Sequence, residues 1–139
     1  KRALSIVDEL ILAVALSPAK NPKFSVHERV SMAEEALKSI AIPDKKSIRV
    51  ESFDGLLVDY VVSKKATVII RGVRAYSDFE YEFQMALTNR KFNDSIETIF
   101  MMPSESYSYI SSNIIKEAAR LGADISPYVP PHVVKKLKQ

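Results

Sequence analysis

The chain has 139 residues with a nearly balanced charge, 20 Lys and Arg against 17 Asp and Glu, and 47% of its residues are hydrophobic. This composition excludes a disordered chain, no apolar run reaches the roughly 20 residues of a membrane helix, and the absence of cysteine excludes a disulfide framework and a thiolate nucleophile. We therefore expect one cytoplasmic domain over residues 1–139 with no membrane or nucleic-acid partner, and its net charge of +3 slightly favours anionic small molecules.

The first half of the chain predicts alternating helices and strands. Residues 1–7 have helical spacing, and residues 9–17 form an apolar run that predicts a buried strand. Ser25 and Glu28 have the spacing of a capping box, so a helix is expected to begin there. The alternation within residues 47–53 predicts a second strand nearer the sheet edge.

The middle of the chain predicts a short helix and then the central strand. An Asp-Gly turn leads into a helix over residues 56–64, whose Leu56 and Leu57 are expected to lie mostly in the core. Residues 67–70 are all β-branched, which is typical of a strand buried on both faces of a parallel sheet. Arg71 follows at the carboxyl end of this strand.

Three helices and one strand complete the predicted order. Ser77 and Glu80 predict a second capping box at the start of the longest helix. Its inward face is expected to be apolar and to comprise Phe79, Phe83, Ala86 and Leu87. A strand at residues 96–102 leads to a helix that ends at Gly122, and a short basic helix begins at Pro130-Pro131. The whole order predicts an α/β protein with an open parallel sheet and helices on both faces.

Groups that suit an anion gather at the carboxyl ends of three predicted strands. Lys20 follows the first strand, and Arg71 and Arg74 follow the third. Residues 111–113 (Ser-Ser-Asn) stand at the start of the helix after the fourth strand. Ligands of open α/β sheets bind beyond the carboxyl ends of the strands, and guanidinium groups and helix N-termini both suit phosphate. This joint placement favours a site for an anionic nucleotide.

Structural alternatives stay open for the same groups. The two arginines can form a structural salt-bridge net with the acidic residues just downstream, which are Asp78, Glu80 and Glu82. The hydroxyl and amide side chains at residues 111–113 are also ordinary helix caps.

Four segments together resemble the phosphopantetheine adenylyltransferases. They are SPAKNPKFSVHERV, FDGLLVDY, IIRGVRAYSDFEYEFQMALTNR and SYSYISSNIIKEAARLGADISPYVP, and they span essentially the whole chain. The resemblance implies a Rossmann-like nucleotidyltransferase of coenzyme A biosynthesis. It also implies adenylyl transfer from ATP to 4′-phosphopantetheine, dependence on Mg²⁺, a homohexamer, and coenzyme A as a possible feedback ligand.

The resemblance also implies two substrate subsites. It makes Lys20 and Arg71 the catalytic pair that holds the pantetheine phosphate and offsets charge at the reacting centre. The implied ATP-binding residues are Gly72, Arg74, Glu82, Tyr107, Ser108, Tyr109, Ile110, Ser111, Ser112 and Asn113. The implied phosphopantetheine-binding residues are Lys20, Leu56, Leu57, Arg71, Met85 and Asn89. For Leu57 and Met85, plain core packing is the alternative.

One part of the family pattern has no counterpart in this chain. The family opens with a strand and a glycine-rich loop ending in (T/H)xGH, whereas the two histidines here, His27 and His132, lie elsewhere. We therefore expect a truncated chain of an active enzyme. Two alternatives remain: a related nucleotidyltransferase acting on nicotinamide mononucleotide or a polyol phosphate, and a non-catalytic remnant or assembly module.

Overall fold

The computed structural model describes residues 1–16 and 22–138, without the side chains of Tyr76 and Ser77. The strands are β1 (Glu9–Ala15), β2 (Ser47–Phe53), β3 (Val68–Gly72) and β4 (Glu97–Met101). The helices are α1 (Val26–Leu37), α2 (Leu57–Ser63), α3 (Tyr76–Phe92), α4 (Ser112–Arg120) and α5 (Pro131–Leu137), with 3-10 turns at Arg2–Ser5 and Glu105–Tyr107. This alternation confirms the predicted α/β fold. Within the described ranges, no helix is long and apolar enough to cross a membrane.

The strands pair in parallel, β1 with β2 and β3 with β4. In the first pair Glu9 stands opposite Ser47, and in the second Val68 stands opposite Glu97. The chain divides into two compact units, Lys1–Tyr60 and Val61–Gln139. Each pair of parallel strands lies within one unit and is joined by a helical crossover, as parallel pairing requires.

Local capping begins the helix of the first unit where the sequence predicts it. The Ser25 hydroxyl accepts from the Glu28 N–H at 3.3 Å, and the Glu28 carboxylate accepts from the Ser25 N–H at 3.0 Å. The predicted capping box of α1 is therefore confirmed. From α1, the Arg29 guanidinium donates to the Ala15 carbonyl at 2.9 Å and so ties the helix to the end of β1.

The link from β2 to α2 is built around Tyr60. Its ring stacks on Phe53 with centroids 4.7 Å apart, and its hydroxyl donates to Glu51 at 3.0 Å. Burial, aided by the bond to Glu51, raises the pKa of Tyr60 to about 12. The prediction that Leu56 lies in the core is wrong, because α2 begins at Leu57 and Leu56 stays outside it, 53% exposed.

The burial of β3 differs from the prediction. Ile69 is 7% exposed, but Val68 is 37% exposed, so the strand is not buried on both faces. Successive side chains of a strand point to opposite faces, so Ile69 and the exposed Val68 lie on opposite faces of the sheet.

Helix α3 departs most from the sequence prediction. It begins at Tyr76 with Ala75 as N-cap, so the predicted start at a Ser77 capping box is wrong. The predicted apolar inward face is wrong for Phe79, Phe83 and Leu87, which are 42%, 46% and 51% exposed, and holds only for Ala86, which is partly buried. The protected stripe has helical spacing and is mostly polar; it comprises Asp78, Glu82, Ala86 and Asn89. Ion pairs to the end of β3, described below, hold this polar stripe inward.

The last two helices follow their local sequence signals. The Ser111 hydroxyl caps α4 by accepting from the Ile114 N–H at 3.2 Å. Gly122 follows the helix with φ +81°, the left-handed conformation that favours glycine after a helix end. Pro131 stands in the first turn of α5, as predicted. The core of this part is aliphatic and includes Ile96, Ile115, Ile125 and Leu137.

Candidate active site

Arg71 lies near the carboxyl end of β3 and pairs with a carboxylate of α3. Its Nε donates to Glu82 at 2.6 Å and its NH2 donates to the other Glu82 oxygen at 2.5 Å. These two bonds use one edge of the guanidinium, and they raise the pKa of Arg71 above its ordinary value. The Glu82 side chain is 12% exposed and that of Arg71 is 46% exposed. Within the part of the chain that the structure describes, the other Arg71 donors make no hydrogen bond and are available to an anion.

Arg74 bridges two separate segments of the second unit. Its Nε donates to Asp78 at 2.9 Å, and its NH1 donates to the carbonyl of Ile110 at 2.6 Å. The bond to Arg74 lowers the pKa of Asp78, which keeps this carboxyl ionised. Because Ile110 directly precedes the N-cap of α4, Arg74 joins the end of β3 to the start of α4.

The start of α4 offers hydrogen-bond donors beside this bridge. The Ser111 hydroxyl accepts one bond from within the helix, so its proton remains able to donate outward. Ser112 and Asn113 are the first helical residues and both are exposed. The N–H groups of a first helical turn have no partner within the helix, and the dipole places positive potential there. The contact from Arg74 to Ile110 thus places a cationic guanidinium beside the N–H donors at the start of α4.

The segment before α4 presents aromatic rings to solvent. Tyr107 and Tyr109 are 53% and 65% exposed. The charge of the neighbouring Tyr128 is the first cause that raises the pKa of Tyr109, followed by burial and by a hydrogen bond with Tyr128. Ser108 is held within the turn, where its hydroxyl donates to the Glu105 carbonyl at 2.8 Å. Two exposed rings flanking a fixed turn are able to stack on a planar ligand.

Gly72 ends β3 between the two arginines. Among residues 1–16 and 22–138, a Cβ added at this position would meet no atom within 4 Å, and the φ of Gly72 is not in the left-handed region. Neither packing nor backbone conformation therefore requires glycine here. The position is open to the close approach of another molecule, and the resemblance implies that this molecule is the nucleotide.

The remaining predicted residues are placed as follows. Lys20 lies outside the described residues. Leu57 is the first residue of α2 and is half-buried, whereas Met85 is 36% exposed on α3. Asn89 is 8% exposed and lies on the protected polar stripe of α3.

The salt-bridge alternative and the anion site are compatible in this structure. Arg71 pairs with Glu82 and Arg74 with Asp78, so two of the three acidic partners predicted by that alternative are used. Each arginine side chain nevertheless keeps at least 40% of its surface exposed. A guanidinium has five N–H donors, so a carboxylate on one edge holds the group in place without using all of them.

Sequence reasoning did not assign a site role to Asp78 or to the Ile110 carbonyl. The spacing of Arg74 and Asp78, four residues apart, was a usable sign of their ion pair. The contact from Arg74 to Ile110 spans 36 residues and leaves no pattern in the sequence.

A protein-built metal cage is not found in the described ranges. No group of three His, Cys, Asp or Glu side chains there is arranged to hold a metal ion. The two carboxylates beside the candidate site, Asp78 and Glu82, are each engaged by an arginine. These donors do not fit a metal centre made by the described residues alone.

Comparisons with known proteins give this site its context. A model of the cytidylyltransferase-like family matches residues 1–118. The phosphopantetheine adenylyltransferase of Syntrophus aciditrophicus is 50% identical over 139 residues, covering 100% of this chain and 81% of that protein. The enzyme of the same name from Geobacter metallireducens is 53% identical over 137 residues, covering 99% and 81%. That from Caldanaerobacter subterraneus is 48% identical over 139 residues, covering 100% and 84%. The chain therefore belongs to the cytidylyltransferase-like family and, within it, to the phosphopantetheine adenylyltransferases, which are nucleotidyltransferase enzymes.

Proposed function

We propose that this protein transfers the adenylyl group of ATP to 4′-phosphopantetheine, forming dephospho-coenzyme A and pyrophosphate. The observation that carries this proposal is the bridge made by Arg74 between the end of β3 and the start of α4. That bridge collects guanidinium groups and helix N–H donors in one place, as a triphosphate requires. The names of the relatives at about 50% identity support the same reaction.

The reaction needs positioning and charge stabilisation more than it needs a protein nucleophile. A phosphate oxygen of phosphopantetheine attacks the α-phosphate of ATP, the bond from the α- to the β-phosphate breaks, and pyrophosphate leaves with the bonding electrons. Arg71 offsets the charge that develops on the transferring group, together with Lys20. Arg74, Ser111 and Ser112 hold the leaving phosphates. The adenine ring stacks beside the exposed rings at Tyr107 and Tyr109.

The acceptor subsite is proposed from the same resemblance. Leu56, Leu57 and Met85 supply apolar contacts to the pantetheine arm, and Asn89 supplies hydrogen bonds to its amides. A mostly apolar pocket with a few polar groups suits such a chain. Gly72 and Glu82 line the nucleotide side, with Ser108, Ile110 and Asn113 completing it.

We also propose a metal ion, a cellular location, an oligomeric state and a feedback ligand. Enzymes that transfer nucleotidyl groups generally use a divalent metal ion, and we propose Mg²⁺, which usually reaches such sites on the substrate phosphates. No step above depends on it. We further propose a cytoplasmic homohexamer with coenzyme A as a feedback ligand, to be checked by light scattering and by inhibition of turnover.

The test is an assay of the full-length protein with ATP and one acceptor at a time. We expect pyrophosphate release with 4′-phosphopantetheine and a product with the mass of dephospho-coenzyme A. Turnover confined to nicotinamide mononucleotide or to a polyol phosphate would replace this function with that of a related nucleotidyltransferase. Absence of turnover with every acceptor would favour a non-catalytic module.

A further inference from the structure

Helix α3 holds each of the two arginines of the site by an ion pair. Asp78 and Glu82 lie four residues apart on its protected stripe, and each binds an arginine from the end of β3. Glu82 already has a place in the proposed nucleotide site. Asp78 has none, although its contacts to Arg74 are the more numerous.

Asp78 fixes both the backbone and the side chain of Arg74. Its Oδ2 accepts from the Arg74 Nε at 2.9 Å and from the Arg74 backbone N–H at 3.4 Å. Its Oδ1 accepts from the Arg74 NH2 at 3.5 Å. The carboxylate thus lies along one edge of the guanidinium and leaves the NH1 nitrogen pointing away from it.

The NH1 nitrogen is the one that reaches the second segment. It donates to the Ile110 carbonyl at 2.6 Å, one residue before the N-cap of α4. Without Asp78, this single bond would be the remaining anchor of a side chain with several rotatable bonds. Both the guanidinium and the start of α4 would then lose their fixed positions relative to each other.

We propose that Asp78 is a positioning residue of the nucleotide subsite, which fixes Arg74 so that its guanidinium meets the ATP phosphates while holding the start of α4. This inference rests on the proposed function. Asp78 touches neither substrate in this scheme and acts only through Arg74.

The test uses Asp78→Ala, Asp78→Asn and Asp78→Glu in the full-length protein. For Asp78→Ala we expect ATP affinity by titration calorimetry, and the KM for ATP, to weaken about tenfold, the scale of one charge-assisted hydrogen bond. The KM for 4′-phosphopantetheine should change less than about twofold, because Arg74 does not face that substrate. Asp78→Glu should recover part of the loss, because it restores the charge. If the alanine variant fails to fold, Asp78→Asn replaces it in the same measurements, because asparagine keeps the shape of the side chain and removes its charge.

A matched control and a double variant separate positioning from general stability. Glu117→Ala removes a more exposed ion pair, that with Arg120 on α4, and should leave ATP affinity unchanged. In the Arg74→Ala background, Asp78→Ala should add less than about twofold, because its effect passes through Arg74.

Several results would overturn the inference. A full tenfold further loss in the double variant would show that Asp78 acts independently of Arg74. Tighter ATP binding in Asp78→Ala would show that the carboxylate competes with the phosphates for Arg74. Equal losses for both substrates would indicate a structural role only. If the wild-type protein neither binds ATP nor releases pyrophosphate, the proposed function itself fails; if it does both and Asp78→Ala behaves as wild type, only the positioning role fails.

Discussion

At the residue scale, Arg71 and Arg74 at the end of β3 serve both in ion pairs within the protein and as exposed donors for a ligand. Arg71 and Arg74 are each held by a carboxylate, and each keeps exposed donors. An arginine that is fixed before its ligand arrives loses less conformational freedom on binding than a mobile one. The ion pairs therefore prepare the cationic groups for an anion, and substitutions here should affect binding and turnover more than folding.

Replacing Arg71 tests its proposed role in stabilising charge. Arg71→Ala should reduce turnover by about a hundredfold, the effect of removing one preorganised donor to a transition state. Because Arg71→Ala leaves the largely buried Glu82 carboxylate unpaired, Arg71→Lys is the variant that protects the fold. It keeps the charge but loses the paired geometry, so turnover should fall while the melting temperature holds. Arg90→Ala, which breaks the exposed ion pair between Arg90 on α3 and Glu97 on β4, is the control. Wild-type turnover in both Arg71 variants would refute the role.

Gly72 and Gly122 should respond in opposite ways to alanine. At Gly72 an added methyl group meets no atom of the described residues, so stability should hold or rise by about 0.5 kcal/mol, while ATP affinity falls because the methyl group blocks close approach. At Gly122 the φ of +81° strains alanine, so stability should fall by about 1 kcal/mol with ATP affinity unchanged. Chemical denaturation and calorimetry measure both quantities. Unchanged ATP affinity in Gly72→Ala would remove this residue from the site.

At the element scale, β2 and α2 are joined by the stacked rings of Phe53 and Tyr60, and the Tyr60 phenol is neutral. Burial first, and then the bond to Glu51, raise the pKa of Tyr60 from 10.0 to about 12. The folded state thus favours the neutral phenol. The resulting stabilisation is complete below pH 10 and is lost as the pH rises from 10 through about 12.

The prediction for this element uses Tyr60→Phe. The variant keeps the stack on Phe53 but cannot ionise, so its free energy of unfolding should be lower at neutral pH and should decline less steeply between pH 10 and about 12. Denaturant unfolding across this pH range measures the slope. Parallel curves for the two proteins would show that Tyr60 does not contribute to the alkaline loss of stability.

At the scale of the whole molecule, two substrates of the proposed reaction should depend on different helices. Ser112→Asp places a carboxylate at the start of α4, where it suits the helix dipole and should leave stability equal or higher. The same charge should weaken ATP binding by about 1–4 kcal/mol through repulsion of the phosphates.

Asn89→Ala should instead weaken phosphopantetheine binding by about 1–3 kcal/mol, the cost of unmade hydrogen bonds. Calorimetry with each ligand on each variant tests the division, and equal losses in all four titrations would refute it.

Local sequence patterns determined much of the secondary structure. The strand over residues 47–53, the capping box at Ser25 and Glu28, and the end of α4 before Gly122 all follow the prediction. Each depends on contacts between residues only a few positions apart, or on the backbone preference of one residue. The family was also predictable from sequence, because its motifs are runs of neighbouring residues.

Only the tertiary structure decided how α3 is oriented and what holds the site together. Sequence periodicity placed Phe79 and Phe83 inward, whereas the folded chain turns the polar stripe through Asp78 and Glu82 inward. The cause is a set of contacts between distant residues: Arg71 to Glu82 spans 11 positions, and Arg74 to the Ile110 carbonyl spans 36. A helical hydrophobic pattern reports the preference of each residue for water, but it carries no information on which charged partner another segment will bring to that face.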